Sequence, residues 1–167
     1  MEKNFRIKVL NIISGSNKGG AENFFERLSI SFEKDKNLQQ KVLIRENKKR
    51  FSNLKENLND IEQIKFFNFY NPFCHIKINK TLKDFKPNIV LSWMNRASQI
   101  IPFKKYNNEV RVGRLGGYYK LKNYISCDYL ITNTLDLKKY VCEKGWDPKK
   151  VEFIPNFVNK NNNSKIE

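Results

Sequence analysis

The chain has 167 residues, 13 of them phenylalanine, and a formal net charge of +15. That is length for one domain with a real core, no apolar run approaches the roughly 20 residues of a membrane span, and the charged first eight residues do not read as a secretory signal. Cys74, Cys127 and Cys142 lack a CxxC spacing and there is one histidine, His75, which argues against a disulfide framework and a zinc site and for reduced, buried thiols in a cytoplasmic protein.

The first predicted element is a buried strand around Val9, Leu10, Ile12 and Ile13. A polar, glycine-bearing loop over residues 14–20 follows. From Ala21 the pattern becomes helical, with Phe25, Leu28 and Phe32 on one side. Strand, glycine turn and helix open a doubly wound α/β domain, and the helix start offers free N–H groups and a dipole end to an anion. The glycines Gly15, Gly19 and Gly20 do not form the dinucleotide fingerprint G-x-G-x-x-G. Gly15 and Gly20 have the spacing of the mononucleotide loop, but Ala21 and Glu22 stand where Lys and Ser or Thr are needed. Gly19-Gly20-Ala21-Glu22 is thus either a tight turn with a carboxylate favourably near a helix start, or that turn with a ligand on it.

Residues 41–44 form a second strand, and residues 46–59 read as an exposed, charged connection with at most a helical turn around Leu54 and Leu58. Residues 61–69 read as a third strand stopped by Asn71-Pro72. A helix follows with Ile78, Leu82 and Phe85 on one face, ended by Lys86-Pro87. Residues 88–93 are a fourth buried strand, and Asn95-Arg96 lie just past it at the start of a helix that Pro102 kinks or ends. Residues 109–115 are a fifth strand, with Val110 and Val112 alternating with Arg111 and Gly113; Arg114, Gly116, Gly117, Tyr118 and Tyr119 come at its end. A sixth strand covers residues 129–132. Asn133 or Thr134 caps a helix whose inward face is Leu137, Tyr140 and Val141, and Gly145 sits where a C′ glycine belongs. Residues 151–154 are a seventh strand, ended by Pro155-Asn156. Residues 159–167 carry no apolar pattern and read as a disordered tail or linker stub after a domain of residues 1–158.

The alternation predicts a doubly wound parallel sheet with helices on both faces, and ligands bind outside the carboxyl ends of such strands. Five strand ends deliver polar or glycine residues there: Gly19 to Glu22, Asn95 and Arg96, Arg114 to Tyr118, Asn133, and Asn156. Their convergence is better evidence for a site than any one of them. Apart from Lys48-Lys49-Arg50 the basic residues are scattered, which disfavours nucleic acid; diffuse charge suits an anionic membrane surface better.

The opening KVLNIISGSNKGGAENFF resembles the first strand, glycine loop and helix of the family 4 glycosyltransferases, enzymes of two Rossmann domains in the GT-B arrangement. CDYLITNTLDLKKYVCEKGWDPKKVEFIPNFV resembles the end of their N-terminal domain, and NIVLSWMNRA and RVGRLGGYYKLKNY resemble one bacterial branch. The resemblance runs to about Asn159. It implies the acceptor-binding half of a retaining glycosyltransferase, using a nucleotide-sugar donor, a glycan or lipid acceptor and no metal or other cofactor, working in the cytoplasm or at the inner membrane face. Gly19, Gly20, Ala21 and Glu22 would face the donor's phosphate or sugar. Asn95, Arg96, Arg114, Gly117, Tyr118, Asn133 and Asn156 would face the acceptor, and no catalytic residue is assigned. The donor-binding C-terminal half of that family has no counterpart here, which implies a fragment or a split enzyme with a separately encoded partner. Phe157 replaces the glycine many members carry after Pro-Asn, and Asn95-Arg96 stand where a histidine is common. The alternative is a non-catalytic Rossmann-like module that binds a sugar, a phosphate or a partner subunit. The failed fingerprint argues against a nicotinamide dehydrogenase.

Overall fold

A computed structural model describes residues 5–15, 19–65 and 72–157. Its strands are β1 (Ile7–Ile13), β2 (Leu38–Arg45), β3 (Ile61–Ile64), β4 (Ile89–Trp93), β5 (Val110–Arg114), β6 (Tyr129–Thr132) and β7 (Val151–Phe153). They form one parallel sheet in the order β3-β2-β1-β4-β5-β6-β7. The helices are α1 (Gly20–Lys34), α2 (Lys48–Lys55), α3 (Pro72–Phe85), α4 (Met94–Gln99) and α5 (Leu135–Glu143). The strand order reverses between β1 and β4, the point where doubly wound sheets open a crevice.

Period-two alternation divides the strands between two cores. Leu10, Ile12, Leu43 and Val90 pack with Ile78 and Leu82 of α3 and Ala97 of α4. Val9, Ile13, Val42, Ile44, Leu91 and Trp93 pack on the opposite face with Phe24 and Phe25 of α1 and Leu54 of α2. The expected Rossmann-like layering, helices on both faces, is therefore present. A third cluster, Leu115, Tyr124, Leu130, Leu137, Val141 and Val151, closes the β6–β7 edge under α5. The α5 caps follow from its sequence. Thr134 Oγ1 accepts from Leu137 N, and past the helix Gly145, at φ +94, and Trp146 donate back to Cys142 and Val141.

Several local expectations need correcting. The charged connection after β2 is a regular helix, α2. Asn47 Oδ1 accepts from Arg50 N to start it; most of its charged residues are exposed as expected, while Arg50, Leu54 and Leu58 are buried on its inner side. The alternation in β5 does not divide it into a buried apolar and an exposed polar face: Val110 is exposed, Val112 is half-buried against the α1-side core, and Arg111 is buried. Arg111 is held in the interior by Glu109, 2.7 Å away, and by the carbonyls of Pro102, Phe103 and Lys104. β3 ends at Ile64; Phe66, Phe67, Phe69 and Asn71, expected to extend and stop it, lie outside the described residues, as does the expected tail. β7 ends at Phe153, one residue short of the expected strand, and α4 ends at Gln99, before Pro102.

Charge pairing gives the fold a pH dependence. Burial raises the carboxyls of Glu62, Glu109 and Asp128, but their partners outweigh it and leave all three below their ordinary values. The partners are Lys41 and Lys77 for Glu62, the Asn107 N–H and Arg111 for Glu109, and Lys105 and the Arg111 N–H for Asp128. Carboxyls that titrate lower when folded add stability at neutral pH, and that stability is lost as pH falls below their ordinary values of 4.5 and 3.8. The urea midpoint is expected to hold between pH 7 and 6 and to fall steadily below about pH 4.5. A midpoint unchanged down to pH 3 would contradict the assignment.

Candidate functional site

The register aligns Ile13, Trp93, Arg114 and Ile131 in a row across β1, β4, β5 and β6, so the residues that follow each strand share one edge. At the β1/β4 reversal they enclose a cleft of about 500 Å³. Ser14, Gly15, Gly19, Gly20, Ala21 and Glu22 supply the β1–α1 side. Met94, Asn95 and Arg96 close it from α4, and Gly116 and Tyr119 from the loop after β5.

The floor is polar. Ser14 is 3% exposed, and among the described residues its Oγ has no hydrogen-bond partner. A buried hydroxyl without a partner costs about 1–3 kcal/mol, and a ligand hydroxyl or phosphate oxygen would relieve that cost. Glu22 is 5% exposed at the third position of α1 and folds back toward the helix start. A methyl group on Gly15 would come within 2.6 Å of Glu22 Oε1, and one on Gly19 would overlap the same carboxylate. The glycines are thus explained by the room that Glu22 needs. Gly19 itself is extended, at φ 174, and needs no special backbone freedom. The start of α1 already carries a carboxylate of its own, which complements the dipole.

Met94 carries the strain of the site. It takes φ 62 at the turn from β4 into α4, in the left-handed region that costs an L-residue roughly 1–2 kcal/mol. Such strain clusters where a ligand must be met, and here it turns the chain so that Asn95 and Arg96 reach the cleft. Trp93 fixes the turn from below. Its Nε1 donates to Asn11 Oδ1 at 2.7 Å, Asn11 Nδ2 donates to Ser29 Oγ at 3.1 Å, and its ring meets Phe24 and Phe25. Strand β1, helix α1 and strand β4 are joined in one buried network.

Of the residues picked from sequence, Gly19, Gly20, Ala21, Glu22, Asn95 and Arg96 line this cleft. Arg114, Asn133 and Asn156 meet instead at a neighbouring void of only about 10 Å³, with Ala21 on its other side. Arg114 is buried over the rings of Phe24 and Trp93, 4.8 and 5.3 Å from their centres, and burial pushes its guanidinium down to about 10. Its Nη2 donates to Ile154 O at 3.0 Å and Asn156 Oδ1 at 2.7 Å. The segment after β7 is thereby tied across the strand ends. Phe157 completes the tie, with its ring edge-on to Phe24 and its carbonyl accepting from Arg27 Nη2.

Gly117 and Tyr118 stay outside the cleft lining; Tyr118 donates to Asp136 and packs on Tyr140. Tyr119 takes the inward place. Its hydroxyl is raised by burial and by Glu22 and lowered by Arg96, so it lies in the field of both. Ser14, Gly15, Met94, Gly116 and Tyr119 were not singled out as binding residues. Strand-end position gave a hint of them, but nothing in a sequence says which of two adjacent tyrosines turns in. Among the described residues no group of three His, Cys, Asp or Glu side chains is placed to hold a metal ion, and no helix is long and apolar enough to cross a membrane. Burial pushes the thiols of Cys74 and Cys127 up to about 11, which makes them poor nucleophiles.

No family profile matches the chain. It is 29% identical over 154 residues, 91% of its length, to the lipopolysaccharide core biosynthesis glycosyltransferase LpsD of Rhizobium meliloti (strain 1021). It spans 43% of that relative, less than half. Among solved structures, Anabaena Alr3699/HepE in complex with UDP-glucose superposes with a TM-score of 0.71 at 11% identity, over 92% of this chain and 45% of that one. A UDP-GlcNAc 2-epimerase from Neisseria meningitidis bound to UDP-GlcNAc gives 0.68 at 17% identity, over 90% and 47%. Similarity at this identity concerns the Rossmann-like fold, which transferases and epimerases share.

Proposed function

We propose that this chain forms the N-terminal, acceptor-binding half of a family 4, GT-B glycosyltransferase that moves a sugar, with retention, from a nucleotide-sugar to lipopolysaccharide core or a related envelope glycan or lipid on the cytoplasmic side. The observation that carries the reading is the polar cleft at the β1/β4 reversal, with a buried Ser14 hydroxyl that has no partner among the described residues, in a chain that aligns along 91% of its length with a lipopolysaccharide core glycosyltransferase. The main contacts to the nucleotide fall to a second half, whether in the same chain or a separate one.

The chemistry suits the groups present. In transfer, the bond from the anomeric carbon to the diphosphate oxygen breaks, the acceptor oxygen bonds that carbon, and the acceptor's proton leaves with the diphosphate. Negative charge grows on the departing phosphate. With the Glu22 carboxylate at the start of α1, the cation of this cleft placed to meet that charge is Arg96, while Gly20 and Ala21 line the wall beside it. Glu22 and Ser14 at the floor take hydrogen bonds with sugar hydroxyls, and Arg96 at the rim meets an acidic group of the acceptor or donor. Asn95 faces the same space. Arg114 and Asn156 act from beneath, by holding the segment over the strand ends.

The direct test supplies the chain with the C-terminal half of its LpsD relative, a panel of UDP- and GDP-sugars, and a lipopolysaccharide core oligosaccharide. Transfer to the oligosaccharide is expected. Epimerisation of the nucleotide-sugar without transfer would overturn the reading.

A further inference from the structure

The run Lys48-Lys49-Arg50 is the one place in the sequence where three basic residues are consecutive, and the glycosyl-transfer reading leaves it without a role. The structure places it in the first turn of α2, where cations oppose the helix dipole and where there is no acidic residue to offset them. Arg50 is buried, with its Nε 2.8 Å from Glu26 Oε1 of α1. Lys48 and Lys49 are exposed, and neither forms an ion pair among the described residues. These side chains line a cleft of about 550 Å³ between α1 and α2, and Asn23 of α1 and Asn53 of α2 face the same space.

That lining has a chemical meaning. Three cations face one carboxylate, and that carboxylate is already used by Arg50. An anion between Lys48 and Lys49 would relieve both their mutual repulsion and their opposition to the dipole. Lysine is a point charge suited to phosphate, while neutral amides such as Asn23 and Asn53 donate to and accept from sugar hydroxyls. The volume lies in the range of small-ligand sites, whereas a membrane surface would need no cavity. α1 and α2 both begin at strand carboxyl ends, and Asn23 directly follows Glu22, so this cleft and the first one lie on either side of the opening turn of α1.

We propose that the α1/α2 cleft binds a phosphate-bearing saccharide, with Lys48 and Lys49 on the phosphate and Asn23 and Asn53 on the hydroxyls. On the transferase reading, on which this second step rests, the ligand is the charged arm of the acceptor. The binding itself is testable without transfer. The whole chain is titrated with glucose 6-phosphate, glucose and inorganic phosphate while backbone amide shifts are followed by NMR. Glucose 6-phosphate is expected to give saturable shifts at Asn23 and residues 47–53, and glucose none. Lys48→Ala/Lys49→Ala is expected to weaken its binding at least tenfold, with a urea midpoint no lower than the parent's. Unchanged affinity in that variant, or shifts spread evenly over lysines such as Lys138, Lys139 and Lys149, would overturn the proposal. So would binding of phosphatidylglycerol vesicles that the variant loses while glucose 6-phosphate fails to bind. A UDP-sugar response at residues 19–22 that persists in the double variant keeps the fate of the transferase reading separate.

Discussion

Replacing Arg111 by alanine is expected to remove about 3–5 kcal/mol of stability, the usual cost of leaving one member of a buried ion pair alone. The side chains of Arg111 and Glu109 are 2% and 1% exposed and 2.7 Å apart. The guanidinium also donates to the carbonyls of Pro102, Phe103 and Lys104, so the variant strands a carboxylate and takes the Arg111 donors from those three carbonyls. Glu109 would keep the N–H groups of Tyr106 and Asn107 and its own backbone N–H. Arg111→Met combined with Glu109→Leu should cost less than Arg111→Ala alone, because no buried charge then remains unpaired. Urea unfolding measures both. A loss below about 1 kcal/mol for Arg111→Ala would contradict the pairing. Arg111 lies near the start of β5, at the opposite end of the strand from the cleft, so its effect should fall on stability and not on ligand affinity.

Gly116→Leu is expected to do the reverse. Gly116 is exposed, and a methyl group there would meet Ala21 Cβ at 3.4 Å, Met94 Cγ at 3.6 Å and the Tyr119 hydroxyl at 4.0 Å, contacts that the site can accept. The remaining carbons of leucine would project into the cleft. Stability should change by less than about 0.5 kcal/mol, as for most surface substitutions, while affinity for a nucleotide-sugar or acceptor in the cleft should fall at least about 100-fold. Gly113→Ala, three residues earlier in the same segment, provides the contrast. Its methyl would sit 2.6 Å from the Tyr124 ring and 3.0 Å from Cys127 Sγ, so it should destabilise the core and leave the cleft open.

Most of the sheet was readable from the chain because β1, β4 and β6 are short, largely apolar runs and several helices have their own stop. Lys86-Pro87 and Gly145 mark two of those stops, and both Lys86 and Gly145 adopt positive φ. Convergence at the carboxyl edge was readable for the same reason, since topology alone brings Gly19, Asn95 and Gly116 together. Beyond the helix α2, three features were not. The orientation of β5 depends on Glu109 and on three backbone carbonyls finding Arg111, which period two cannot show. The left-handed Met94 has no local cue, because the strain is imposed by Trp93 beneath it and by the helix that follows. The separation of Arg96 from Arg114, one at the rim and one under the floor, depends on Phe24, Trp93 and Asn156, which are remote in sequence.

The cleft also gives Glu22 a meaning the glycine motif alone did not. At the position where a phosphate-binding loop would leave the helix start open, this chain has a buried carboxylate, with Gly15 and Gly19 shaped around it. The floor is therefore suited to hydroxyls, while an anionic group is better placed toward Arg96 or toward Lys48 and Lys49.

The central claim is that the β1/β4 cleft receives the substrates of sugar transfer. The measurement that tests it most directly is NMR mapping of amide shifts in the chain and in Gly116→Leu on addition of UDP- and GDP-sugars and a lipopolysaccharide core oligosaccharide. The account predicts saturable shifts at Gly15, residues 19–22, Asn95, Arg96, Gly116 and Tyr119, lost in Gly116→Leu. Binding that maps elsewhere, or that survives Gly116→Leu unchanged, would contradict it.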